Sequence, residues 1–161
     1  MNLIYIGKLV NTHGIKGEVR LISEFKYKKD VFKKDNIIYI NNTKYEIISH
    51  RTHKNYDMLV LSNINSINDA LLIKGYNVYI NRDDYKFNGY LDEDLLGLDV
   101  YDNEIYKGKV VDILKSVNND LLVIDGKKRH MVPNLPIFIN NVDLKSKKIF
   151  INYIEGLDNE N

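Results

Sequence analysis

Four basic side chains gather around one glycine-punctuated turn near the start of the chain. They are Lys8, His13, Lys16 and Arg20, set in Gly7-Lys8-Leu9-Val10-Asn11-Thr12-His13-Gly14-Ile15-Lys16-Gly17-Glu18-Val19-Arg20-Leu21. Cations grouped in this way can neutralise a phosphate backbone. None stands beside a nucleophile or a paired carboxylate, so the chemistry on offer is binding and not bond-making. Gly14 and Gly17 let the backbone turn sharply where side chains would obstruct it. Two readings fit the turn equally: a tip that touches a phosphate backbone, or glycines that merely serve the turn with Lys16 as a solvated tip. A Gly-x-x-Gly loop also clamps nucleic acid in KH domains, but there it needs helices on both sides, and these flanks alternate like strands.

A second basic stretch follows, with Lys26, Lys28, Lys29, Lys33 and Lys34 interleaved with Tyr27, Asp30 and Phe32. Lysines there can release counterions from a nucleic acid while Tyr27 stacks on an unpaired base; a solvated basic face is the plainer alternative. His50 and His53, with His13 or His130 as a third ligand, would suggest a metal site. Residues three apart face opposite sides of a strand, however, and this segment reads as strand, so the histidines are expected at a surface or hairpin end. Asp92-Glu93-Asp94 reads as a turn or a helix start. The chain has no cysteine, no phosphate loop, no dinucleotide fingerprint and no serine elbow. No catalytic residue, no metal and no cofactor are expected.

The elements that must carry these residues are mostly strands. Leu3 to Val10 and Glu18 to Ser23 flank the turn at Asn11 to Gly17, with Val19 and Leu21 on one face and Glu18 and Arg20 on the other. Strands are expected again at Ile37 to Ile40, Tyr45 to Arg51, Met58 to Leu61 and Val78 to Ile80. Asn41-Asn42 suits the left-handed backbone of a tight hairpin. Ser66 can cap a short helix that Gly75 ends. After a polar stretch, further strands are expected at Leu98 to Tyr101, Lys109 to Leu114, Leu121 to Asp125, His130 to Val132 and Lys148 to Asn152. Many short strands at close spacing favour small barrels.

The totals agree with a folded chain: 161 residues, 44% hydrophobic and 28% charged, with a net charge of +1. Residues 1 to 81 carry 12 Lys+Arg and 7 Asp+Glu, whereas residues 82 to 161 carry 11 and 15. The first half is therefore suited to an anionic partner and the second to a basic one. No stretch approaches the roughly 20 apolar residues that span a bilayer, so no membrane association and a cytoplasmic location are expected.

Four ordered segments resemble the RimM family of ribosome maturation factors. The first is Gly7 to Leu21, and the second is Asp69-Ala70-Leu71-Leu72-Ile73-Lys74-Gly75. The third is Asp94-Leu95-Leu96-Gly97-Leu98-Asp99-Val100. The fourth runs through Asn119-Asp120-Leu121-Leu122-Val123, Met131-Val132-Pro133 and Val142-Asp143-Leu144 to Ile154-Glu155-Gly156-Leu157. Where that family often has Tyr-Tyr before the third segment, this chain has Tyr90-Leu91. Where the family often has Pro-Phe, it has Pro133-Asn134, with Phe138 further on.

The resemblance implies an all-β fold of two small barrels. These would be a translation-factor-like barrel over residues 1–82 and a PRC-type barrel over 94–161, joined by a linker at 83–93. It implies a non-catalytic factor, acting as a monomer, that binds the immature small (30S) subunit near its head and promotes 16S rRNA maturation. The implied partners are ribosomal protein nineteen of the small subunit and 16S rRNA in the precursor particle. Residues expected at rRNA are Lys8, His13, Lys16, Arg20, Lys28 and Lys29; those expected at the ribosomal protein are Tyr90, Leu91, Leu95, Leu96, Pro133 and Phe138. The alternative is a translation-factor-type RNA-binding module with no dedicated ribosomal protein partner, and an enzyme acting on rRNA comes third.

Overall fold

A computed structural model describes residues 1–152. The last part of the fourth family-like segment, Ile154 to Leu157, lies outside these described residues. The chain divides into two compact units, Met1–Asn88 and Gly89–Asn161.

In the first unit, alternation of apolar and polar residues produces six strands with one apolar face each. They are β1 (Leu3–His13), β2 (Glu18–Ile22), β3 (Ile37–Ile40), β4 (Thr43–His53), β5 (Tyr56–Leu61) and β6 (Asn77–Asn81). Their order is β1-β2-β5-β4-β3-β6, and β6 pairs back onto β1 to close the barrel. Closure gives every strand of the barrel a neighbour on both sides. The inward positions, among them Leu9, Leu21, Ile38, Ile40, Leu61 and Ile80, are fully buried.

Two glycines of this unit are required by close approach. A Cβ on Gly7, at a β-bulge in β1, would come within 2.6 Å of the Ile22 carbonyl oxygen. Gly17 has φ +84°, and a Cβ there would meet Ser66 backbone atoms at 2.9 and 3.0 Å. The β1–β2 turn is thereby seated against the start of α2 (Ile67–Ile73). The Ser66 hydroxyl accepts from the Asp69 amide at 3.2 Å, and Gly75 follows the helix at φ +89°, the cap and stop that the sequence signals. Asn41 and Asn42, at φ 50° and 61°, form the expected tight hairpin between β3 and β4. The ladder between β1 and β2 extends to His13 and Glu18, so the turn is shorter than Asn11 to Gly17 and His13 is a strand residue.

The basic stretch after β2 folds into α1 (Lys28–Val31), which buries Val31 and is followed by buried Phe32. It is one helical turn packed on its Val31 side, with Lys26, Lys29, Lys33 and Lys34 exposed. At the end of this unit, Arg82–Asp84 form a 3-10 turn, and Phe87 packs on Tyr27 and Phe25.

The second unit opens with α3 (Asp92–Leu95), whose Asp94 carboxylate accepts from the Leu91 amide at 2.8 Å. The acidic triplet is thus a helix start. Six strands follow: β7 (Asp99–Asp102), β8 (Ile105–Leu114), β9 (Leu121–Asp125), β10 (Arg129–Pro133), β11 (Ile139–Asp143) and β12 (Lys148–Ile151). They form one sheet in the order β10-β9-β8-β7-β12-β11, parallel only between β12 and β7. Its core contains Leu95, Val100, Val110, Leu122, Ile124 and Ile149. The two β-sheets agree with the expected all-β class. No helix among the described residues is long and apolar enough to cross a membrane.

Candidate functional site

The β1–β2 and β4–β5 hairpins bring their cations together. β2 pairs with β5, and β5 with β4, so Arg20 lies opposite Met58 and Met58 opposite Arg51. An Arg20 Nη donates to His13 Nδ1 at 3.3 Å, and its guanidinium sits 4.9 Å from the centre of the Tyr56 ring. These contacts aim the group, while its buried Nε has no partner among the described residues. The His13 and His53 rings lie 6.0 Å apart.

Charge at this tip is unbalanced. Glu18 takes two hydrogen bonds from Arg51, at 2.7 and 2.9 Å, which hold its carboxyl below the usual range. Among the described residues Lys16, Arg20 and Lys54 have no such carboxylate. His53 registers the resulting field: burial first, then the charges of Arg51, Lys54, Arg20 and His13, push its pKa down. The site can attract and hold phosphate. Among the described residues no His, Cys, Asp and Glu cluster could hold a metal ion. His50 instead turns to Asp57 and His53 to His13.

The expected RNA contacts divide. His13, Lys16 and Arg20 come together at the tip. Lys8 is exposed on β1, about 16 Å away along the strand. Lys29 is exposed. Lys28 is committed within the fold, donating to Asp57 Oδ2 and to the Ser23 carbonyl, each at 2.9 Å. Tyr27 stacks on Phe87 and so is not an open platform for a base. Sequence reading missed Arg51, Lys54 and Tyr56 because it ended the fourth strand at Arg51. Lys54-Asn55, with Lys54 at φ 55°, is the turn that would have revealed the longer hairpin.

The expected protein contacts also divide. Leu91 and Leu95, both expected at the ribosomal protein, are buried, with Leu95 in the second core, so neither offers a surface. Leu96 is exposed. Tyr90 is half-buried against the core, and its hydroxyl donates to Asn134 Oδ1 at 3.3 Å. Pro133 ends β10, and Phe138 packs partly against the core. A cleft of about 360 Å³ is lined by Tyr90, Asn134, Leu135, Pro136 and the β11 residues Ile139 to Val142. Beside it in sequence Ile137 is 63% exposed. Tyr90 and this loop are therefore accessible where Leu91 and Leu95 are not.

The family model described as RimM N-terminal domain matches residues 4–85. A ribosome maturation factor RimM from Staphylococcus aureus (strain bovine RF122 / ET3-1) is 35% identical, covering 96% of this chain and 98% of the relative. One from Streptococcus suis (strain 05ZYH33) is 34% identical over the whole of both chains. Among solved structures, a 16S ribosomal RNA processing protein RimM from Pseudomonas aeruginosa is similar at 21% identity and a TM-score of 0.48, covering 95% of this chain and 98% of that one.

Proposed function

The chain belongs to the RimM family, whose full-length relatives are named ribosome maturation factors, and on that premise we propose that it binds the immature small (30S) ribosomal subunit near its head and promotes 16S rRNA maturation without catalysing a reaction. The first unit contacts rRNA through the hairpin tip, with Lys16, Arg20 and Lys54 on phosphates. The second contacts ribosomal protein nineteen of the small subunit through Tyr90, Leu96 and the Pro133 to Phe138 loop. The protein acts as a monomer in the cytoplasm, with no cofactor.

Such a factor works by differential affinity. It stabilises one arrangement of RNA and protein and loses contacts when the mature arrangement forms. The observation that carries this reading is the cationic tip in a chain similar over its whole length to ribosome maturation factors. Gradient sedimentation tests it: the protein should travel with free small subunits or their precursors and not with assembled ribosomes. Equal occupancy of both fractions would count against an assembly role. If ribosomal protein binding failed while rRNA binding persisted, the translation-factor-type RNA module would be the better reading.

A further inference from the structure

Three tyrosines stand in one row across the outside of the barrel. Tyr5 on β1 is the ladder partner of Tyr79 on β6, and Tyr79 is the partner of Tyr39 on β3. The row continues to Lys44 on β4, the partner of Tyr39. The next outward row carries Lys8 on β1 opposite Asn77 on β6. Inward neighbours on these strands, Ile4, Ile38, Ile40, Val78 and Ile80, fill the core, so the tyrosines are not needed to fill it.

Tyr5 is 53% exposed and meets Tyr79 edge-on, at 6.1 Å and 72°, so the two rings are not stacked on each other. Beside the row lies a cleft of about 290 Å³, lined by Tyr39, Tyr76, Tyr79, Asn41, Asn42 and Asn77. Ring faces suit base stacking, and asparagine amides supply both donors and acceptors for base edges. Lys44 lies at the β4 end of the aromatic row and Lys8 one row along at its β1 end, and neither is ion-paired among the described residues. Aromatic faces flanked by cations fit a single-stranded nucleic acid backbone with its bases splayed onto the rings.

We propose that the β1–β6–β3 face binds a short run of unpaired nucleotides in RNA, as a site separate from the cationic hairpin tip. It rests on the ribosomal RNA reading above for the choice of RNA as occupant. Base stacking and phosphate neutralisation supply the affinity, and the asparagine-lined cleft gives one base a polar contact.

The test is titration of the full chain with a single-stranded adenylate oligomer roughly ten nucleotides long, within the site sizes of such platforms. The chain has 12 tyrosines and no tryptophan, so intrinsic fluorescence reports on tyrosine alone. Quenching is expected on binding. The Tyr5→Ala, Tyr76→Ala double variant should weaken binding by about tenfold or more, whereas Tyr5→Phe with Tyr76→Phe should retain it. Lys8→Glu with Lys44→Glu, which disturbs no packing, should weaken it as well, most at low salt, and lower the slope of log affinity against log salt. Oligomer binding that is absent, or that survives both the alanine and the glutamate variants, overturns the proposal. So does loss of ribosomal protein binding in the alanine variant with oligomer affinity unchanged, which would mark the face as a protein surface. Oligomer binding lost in these variants, in a protein that fails to sediment with small subunits, would uphold this site and reject the assembly role.

Discussion

The ring of Phe87 lies parallel to that of Tyr27, 4.5 Å between centroids and 8° between planes. Tyr85 runs parallel to Phe87 at 5.4 Å, Phe25 meets it edge-on, and the Arg82 guanidinium sits 5.1 Å from its ring. The chain beyond Asn81 is therefore fastened to the barrel by aromatic contact. Phe87→Ala should destabilise the first unit by about 1–3 kcal/mol in urea unfolding, short of the full cost of a buried phenylalanine. A fragment ending at residue 82 should melt below one ending at residue 88. Equal melting of the two fragments would show that the stack contributes nothing.

Asp57 is only 4% exposed and has two partners, Lys28 Nζ at 2.9 Å and His50 Nε2 at 2.8 Å. Removing a partner leaves a buried carboxylate short of compensation, whereas removing an exposed lysine changes little. Lys28→Ala should cost about 1–3 kcal/mol in stability and Lys29→Ala less than about 0.5 kcal/mol. If the two variants unfold alike, the Lys28 ion pair is not structural.

Each phosphate neutralised at the hairpin tip adds to the salt dependence of binding. Lys16→Ala and Lys54→Ala should each lower the slope of log affinity against log salt by about one for rRNA. Lys28→Ala should leave the slope unchanged once its loss of stability is allowed for. A flat salt response of the unmutated protein would place RNA contact elsewhere.

Short-range signals in the sequence were easy to read, and long-range ones were not. Ser66 and Gly75 mark α2, and Asn41-Asn42 marks a hairpin, because each acts through its own backbone or one a few residues away. By contrast, Lys28 finds Asp57 29 positions on, and Arg51 finds Glu18 33 positions back. A lysine in a basic run carries no local sign of whether it faces water or a buried acid. The strand β11 was missed for another reason: Ile-Asn-Asn-Val-Asp has low strand propensity, and pairing with β12 imposes the conformation. The tip was half legible, since His13, Lys16 and Arg20 share one hairpin while Arg51, His53 and Lys54 arrive from another.

Burial, and then the charge of Asp84, raise the Tyr85 phenol to about 12 from its ordinary 10. A raised folded value means that the folded protein holds this proton more tightly. The stabilisation is complete below about pH 10 and is lost as pH rises towards about 12. Unfolding midpoints measured across that window should fall more steeply in the unmutated protein than in Tyr85→Phe. Parallel curves would mean that Tyr85 ionises as freely in the folded chain as in the unfolded one.

Leu91 and Tyr90 are neighbours with different tasks. Leu91 is 4% exposed, so Leu91→Ala should cost about 2–5 kcal/mol and lower the melting point of the second unit. Tyr90 lines the cleft beside Asn134 and Pro136, and Ile137 is largely exposed. A partly exposed aromatic beside an exposed aliphatic can anchor a protein partner, and such anchors carry about 2 kcal/mol or more. Ile137→Asp should therefore weaken binding to the ribosomal protein with the melting point nearly unchanged, and Tyr90→Phe should keep most of the affinity while losing the hydrogen bond to Asn134. Calorimetric titration against the isolated ribosomal protein measures both. Unaltered affinity in Ile137→Asp and in Tyr90→Ala would remove this loop from the interface and leave exposed Leu96 as the next residue to change.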